Sequence, residues 1–337
     1  MKVLIIGGTG IISTAITREL LARGEDVTLY NRGITPSLIP EGAKRIFGNR
    51  REYTNFERQM AEGEPFDCVI DMMCFIPEDA ESLVRAFAGR IRQLIFCSTV
   101  EVYTKPAERL PIREDNQRAS ICSYGVNKAT CEDILWQAHQ RQDFQTTIFR
   151  PAYTYGEGGT LIYALGDQTY MDRIAKGGPI VVPGDGNCLW VTCHRDDVGL
   201  AFVSAIGNPK AYGKAYNTSG DNWMTWNAYH QTVARAIGAP EPKLVHIPSS
   251  LLKKVAPNRY KPRAYIFSHS YIFDNTAAKK DLDFRCTIPW EQGARRTYTW
   301  AKDNGRLGKS DEDTFHADLV VAWEGLGEAL IAQAKGG

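Results

Sequence analysis

Tyr124 and Lys128 stand four residues apart in Ser-Tyr-Gly-Val-Asn-Lys, residues 123–128, a spacing that puts both side chains on one face of a helix. A tyrosine with an ordinary pKa of ~10 is a poor base at neutral pH, and a cation one turn away favours its phenolate. Such a pair takes a proton from a hydroxyl as hydride leaves its carbon, or returns it when a carbonyl is reduced. Earlier in the chain the apolar run Gln93–Cys97 ends in two hydroxyls, Ser98 and Thr99, within CSTVEVY. If that run is a strand of a parallel sheet, both hydroxyls lie at its carboxyl end, where such sheets bind ligands.

Hydride chemistry needs a carrier, and the first residues supply a place for one. Val3–Ser13 reads VLIIGGTGIIS: a β-branched run, a glycine turn, then helical spacing. Gly7 permits the tight bend, Thr9 and Gly10 let backbone approach a pyrophosphate, and the N–H groups of the helix that opens with Ile11 and Ile12 complete an anion site. Ser13 stands where a third glycine is expected, a position that governs helix packing more than phosphate binding. The second apolar run ends TLYNRG, with Asn31 and Arg32 where an acidic residue would hold the ribose hydroxyls of NAD. Arg32 suits a ribose 2′-phosphate and so favours NADP over NAD; the alternative is that it lies on the adenine face of NAD. Past a third run, Gly48-Asn49-Arg50 places Asn49 to accept the adenine amine through its side-chain oxygen.

Glycine turn, strand-end hydroxyls and Tyr-x-x-x-Lys, in this order, resemble the short-chain dehydrogenase/reductase superfamily in its extended form, the NAD(P)-dependent epimerases and dehydratases. The resemblance continues through Phe149-Arg150-Pro151, Tyr155-Gly156, Gly184-Asp185-Gly186 and His194-Arg195-Asp196-Asp197-Val198. It implies that Thr99 orients the reacting oxygen and that Arg50, Met73, Ser98 and Pro151 join Tyr124 and Lys128 at the cofactor. It also implies substrate contacts at Thr99, Tyr103, Tyr153 and Trp190, and a homodimer formed by a helical pair near Tyr124. Glu101 resembles the glutamate of the family's Thr-x-Glu-Val-Tyr dehydratases and decarboxylases, but Val100 replaces the companion acid of many dehydratases. One acid serves epimerisation through a keto intermediate better than acid-assisted elimination; alternatively Glu101 is a salt-bridged loop residue. Two stretches depart from the family. Asn187–Val191 lacks the arginine that pairs with a substrate diphosphate, leaving Trp190 to stack on a base or sugar or to pack internally. Asp71-Met72-Met73-Cys74 stands where relatives carry small residues. The expected function is therefore an enzyme oxidising a carbinol carbon of a sugar-like or sugar-nucleotide-like substrate. The alternatives are a simple NADP-dependent dehydrogenase or reductase, and an RNA- or nucleotide-binding protein of the atypical branch that includes chloroplast stem-loop-binding proteins, whose GGTG turn and NRG strand end this chain shares.

The elements that must position these residues are legible from periodicity. Strand-like runs at Val3–Ile6, Val27–Tyr30, Lys44–Phe47, Cys68–Met73 and Gln93–Cys97 alternate with helical stretches, which predicts an α/β fold: a Rossmann-type doubly wound parallel sheet. A smaller interleaved substrate-binding region is expected at 157–189 and 220–303, the dinucleotide-binding domain at 1–156 and 190–219, and a helical tail at 304–337. Within that tail Phe315, Leu319, Trp323, Leu326 and Leu330 share one side of a packing helix. Forty basic against thirty-nine acidic residues leave a net charge of +1, which gives no footprint for nucleic acid or an anionic membrane. The eight cysteines show no zinc-type spacing, so no metal site is expected. Free thiols and the absence of a signal-peptide core point to a reducing cytoplasm.

Overall fold

The computed structural model describes residues 1–34, 39 and 41–335. The chain divides into two compact units: the first comprises residues 1–154, 191–221 and 272–288, the second 155–190, 222–271 and 289–337.

The first unit is built on a seven-stranded parallel sheet. In chain order its elements are β1 (Lys2–Ile6), α1 (Ile11–Ala22), β2 (Asp26–Asn31), β3 (Lys44–Phe47), α2 (Tyr53–Glu62), β4 (Cys68–Asp71), α3 (Pro77–Phe87), β5 (Gln93–Cys97), α4 (Ser123–Gln140) and β6 (Gln145–Pro151), and the strand Lys214–Thr218 closes the far edge. Spatial order runs from that edge strand through β6, β5, β4, β1 and β2 to β3. The order therefore reverses between β1 and β4, the crevice where open α/β sheets bind ligands. Strand alternation divides the core in two: Val3 and Ile5 point to a layer with Ile16, Leu20, Val198 and Phe202, and Leu4 and Ile6 to a layer with Phe56, Leu83, Cys131 and Leu135. Helices consequently cover both faces of the sheet. On the first face a side chain at Gly199 would stand 2.9 Å from Ala15 Cβ and 3.2 Å from the Ile16 nitrogen, so the tightest helix contact of α1 lies there and not at Ser13.

Residues 272–288, expected in the substrate region, fold with the sheet. Ile112 donates its N–H to Ile272 and Asp274 donates to Ile112, both at 2.8 Å, while Ala278, Leu282 and Phe284 enter the first core layer. β4 ends at Asp71, two residues before the apolar run does, because the Asp71 carboxylate accepts the N–H of Met73 at 2.5 Å and turns the chain out of the sheet.

The second unit pairs the strands Ile180–Pro183 and Leu244–Ile247 in parallel over an aromatic core. Tyr170 donates to or accepts from His230 Nδ1 at 2.8 Å, and Tyr163 pairs with His316 Nε2 at 2.7 Å while accepting the Val181 N–H at 3.0 Å. The terminal helix, Thr314–Lys335, buries only His316 and Val320. Leu326 and Leu330, expected on its packing side, are 60% and 66% exposed, since i, i+4 spacing turns the His316–Val320 stripe inward and carries those leucines off it. Among the described residues no helix is long and apolar enough to cross a membrane.

Burial pushes His230 down to about 3 and His316 down to about 4. Both stay neutral in the folded state while the unfolded chain takes protons below ~6.5. Stability is thus independent of these groups above that pH and falls as pH drops toward 4, by about 2 kcal/mol for each at pH 5. Thermal unfolding followed from pH 7 to pH 5 should show this loss, and His316→Gln should flatten the profile despite a lower melting point at pH 7.

Candidate functional site

At the end of β1 the backbone must turn sharply to start α1. Gly7 and Gly8 adopt φ of +113° and +82°, a region side chains disfavour. A Cβ on either would also stand 3.0 Å from Met73 Cγ or Leu29 Cδ2, respectively. Gly8 is thus as strongly required as Gly7. Gly10 is extended and caps α1; its N–H is donated to Ser13 Oγ at 2.9 Å. Ser13 is buried and its hydroxyl takes the first backbone donor of the turn. The first-turn N–H groups of Ile11 and Ile12 have no carbonyl four residues back within the helix.

A groove runs over this turn in two halves that share Gly7, Thr9, Met73 and Phe75, one of about 300 Å³ and one of about 310 Å³. Asn31, Arg32, Asn49, Arg50 and Arg51 line the first half, and no carboxylate does among the described residues. Arg51 is a residue that sequence reasoning missed, although its place beside Asn49 and Arg50 was the available signal. Arg32 and Arg51 are exposed. Arg50 is buried, 3.5 Å from the Asp71 carboxylate, bonded to the Asp79 carbonyl and 4.5 Å from the Phe56 ring centre. Its Nη1 and the Asn31 Nδ2 are buried with no hydrogen-bond partner among the described residues, donors that a ribose or phosphate in this half would satisfy. Asn31 Oδ1 accepts the Gly33 N–H at 2.9 Å and Asn49 Oδ1 accepts the Arg51 N–H at 3.1 Å, so both side chains are held in place.

Ile11, Ile12, Met72, Cys97, Ser98, Tyr124, Lys128 and Thr154 line the second half. α4 brings Tyr124 and Lys128 there because Gly125 lets it press on the single turn Val100–Val102; a side chain at 125 would overlap the Glu101 carbonyl oxygen. Lys128 is buried and donates to the carbonyls of Cys74 at 2.8 Å and Cys97 at 2.5 Å. Burial raises the Tyr124 phenol above its ordinary value, opposed by a hydrogen bond from the Thr99 side. The cation one turn away does not outweigh that burial, so the phenol keeps its proton in the free chain.

The two strand-end hydroxyls separate in role. Ser98 donates to Glu132 at 2.5 Å, and Glu132 also receives Arg150 at 2.6 Å and Arg118 at 2.9 Å. Thr99 is left beside Tyr124 and caps the short turn by accepting the Glu101 N–H at 3.2 Å. Glu101 is ion-paired at 2.5 Å with Lys105, itself buried, and burial pushes that lysine down while the carboxylate pushes it back. The arrangement is that of a salt-bridged residue.

Other expected positions lie elsewhere. Pro151 pairs within the sheet opposite Thr218 and lines neither half of the groove, where Thr154 stands instead. Tyr103 is buried, donating to Asn217 at 2.7 Å and accepting from Arg150 at 2.8 Å; desolvation raises its phenol, so it serves the buried network and not a substrate. Tyr153 is half-buried and lends its carbonyl to Thr192 at 2.6 Å. Trp190 belongs to the second unit, where it is buried and stacked on Trp226 at 4.7 Å, an internal packing aromatic.

The family model described as "NAD dependent epimerase/dehydratase family" matches residues 3–218. The chain is 29% identical over 241 residues to 2'-dehydrokanamycin reductase of Streptomyces kanamyceticus, covering 71% of this chain and 68% of that protein. It is 31% identical to the chloroplast stem-loop binding protein of 41 kDa b of Arabidopsis thaliana, covering 98% of this chain and 86% of that one. Among solved structures, UDP-glucose 4-epimerase of Thermotoga maritima superposes with a TM-score of 0.74 at 19% identity, over 90% of this chain and 99% of that one.

Glu132→Ala should cost about 3–5 kcal/mol, because it strands the buried Arg150 guanidinium. Urea denaturation measures this, and Glu132→Gln, which retains acceptors, should lose less.

Proposed function

The chain belongs to the NAD dependent epimerase/dehydratase family, and from that premise we propose that it is an NADP-dependent oxidoreductase interconverting a carbinol and a ketone on a sugar-like substrate. The observation that carries this reading is the groove over the Gly7–Gly10 turn that ends at Tyr124 and Lys128, with Thr99 hydrogen-bonded to Tyr124 behind them. The unpartnered donors of Asn31 and Arg50 support a dinucleotide in its other half. Arg32 and Arg51, with no carboxylate among the described lining residues, support NADP over NAD. A nicotinamide, when bound, supplies or accepts the hydride.

This chain's own residues move and hold the proton. Tyr124 delivers it to the oxygen of a carbonyl undergoing reduction, or removes it in the reverse direction, and Thr99 aligns that oxygen. Lys128 adds positive charge beneath the site. The retained proton of free Tyr124 suits the reductive direction. Glu101, the acid that the sequence pattern offers for proton exchange at the neighbouring carbon, is tied to Lys105. That favours plain reduction over the epimerisation that the sequence pattern suggests, and the reductase of Streptomyces kanamyceticus is a relative of the same chemical kind by name. A homodimer through α4 accords with the family.

NADPH and NADH titrated by fluorescence should give tighter NADPH binding, with Arg32→Ala and Arg51→Ala each weakening NADPH about tenfold and leaving NADH nearly unchanged. Binding of neither nucleotide, with retention on stem-loop RNA at moderate salt, would move the chain to the nucleic-acid-binding reading.

With 2'-dehydrokanamycin and keto forms of UDP-glucose as probes, reduction should consume NADPH stoichiometrically. Tyr124→Phe should lower the rate at least about 100-fold with nucleotide affinity intact. Product formed in deuterated water with no net NADPH loss, and with deuterium at the adjacent carbon, would restore epimerisation and a catalytic Glu101.

A further inference from the structure

This chain turns out of β4 through Met73, Cys74 and Phe75. Phe75 is half-buried and lines both halves of the groove. Its ring centre lies 5.1 Å from the Lys128 ammonium and 6.5 Å from the Tyr124 ring, tilted 41° to it. The ring centre of Phe96, a fully buried residue, lies 4.5 Å from the same ammonium. Lys128 therefore has two aromatic rings beside it, with two of its three N–H groups given to the Cys74 and Cys97 carbonyls, which leaves one donor for a ligand. Of the two rings only Phe75 reaches the groove.

Phe75 is not a loose loop residue. Its N–H and that of Ile76 are donated to Asp79 Oδ2, at 2.9 and 3.3 Å. Asp79 also accepts the Tyr53 hydroxyl at 3.0 Å and, through its carbonyl, Arg50. Aspartate 79 thus anchors Phe75 to the same framework that holds the adenosine half of the groove.

We infer that Phe75 is a positioning residue, resting on the cofactor reading above: its ring holds the Lys128 ammonium from the groove side and braces the Tyr124 ring, so that both meet the nicotinamide half of a bound dinucleotide in one fixed arrangement. A cation on an aromatic face gains electrostatically from the ring quadrupole, more so when desolvated. Leucine fills the same space without that quadrupole.

The test uses the full chain and two probes, NADPH and adenosine 2′,5′-bisphosphate, which reaches only the adenosine half. Phe75→Leu should weaken NADPH about fivefold and the bisphosphate by less than about twofold, and Phe75→Tyr should restore NADPH affinity to within about twofold. With a reducible substrate, Phe75→Leu should also lower kcat, since Tyr124 loses its brace. Equal weakening of both probes would mean a merely structural role and overturn the inference, as would unchanged NADPH affinity in Phe75→Leu. Failure of the wild-type chain to bind NADPH or NADH at all would overturn the cofactor reading and this inference with it, an outcome distinct from wild-type binding that is indifferent to residue 75.

Discussion

A buried ammonium has to be satisfied or it costs several kcal/mol, and the placement of Lys128 follows from that requirement. Backbone carbonyls converge where β4 and β5 end, and Lys128 draws two of them, from Cys74 and Cys97. This fixes the rotation of α4 about its own axis. Tyr124, one turn earlier, must then fall over the groove, and Glu132, one turn later, must fall against Ser98 and Arg150. Three residues at four-residue spacing on one helix face therefore take three different tasks from a single anchoring interaction. Gly125 permits it, since any side chain there would hold α4 off the turn that carries Glu101.

The half of the groove lined by Asn31, Arg50 and Arg51 is organised by a second buried cation. Arg50 is committed to Asp71, to the Asp79 carbonyl and to the Phe56 face. Asp71, raised by burial despite Arg50 beside it, in turn fixes the N–H of Met73. Arg50 is therefore part of the wall, and the exposed pair Arg32 and Arg51 is what remains to meet a ligand charge. Three neighbouring arginines differ in role because one is desolvated and bonded while two are solvated, a distinction that charge counting does not make.

Both halves are tighter at their junction than the glycine pattern alone suggests. Met73 lies against Gly7, and Ser13 takes the Gly10 N–H. The floor of the groove keeps the first-turn donors of α1, but one backbone donor already has an internal acceptor. The reacting end is likewise pared down: Ser98 and Tyr103 are drawn into the Glu132–Arg150 network and Glu101 into its pair with Lys105. Tyr124 is left lining the groove, with the buried Thr99 hydrogen-bonded to it.

The sequence by itself determined five of the seven strands of the sheet and the helices between them, the glycine turn and the Tyr124–Lys128 pair, because each rests on local periodicity or on fixed spacing along one element. Its reading of Arg32 as a groove cation likewise needed only the end of one strand. What only the tertiary structure decided is which polar side chains are consumed internally. Whether Ser98 or Thr99 is free depends on Glu132, and whether Glu101 is free depends on Lys105. Whether Trp190 stacks on a ligand or on Trp226 depends on a helix some forty residues away. The inclusion of 272–288 with the sheet was equally hidden, since the bonds of Ile112 to residues 272 and 274 span a long stretch of chain. Periodicity reports what a segment buries, whereas hydrogen-bond satisfaction is settled between segments, and the second is what separates a reacting hydroxyl from a structural one.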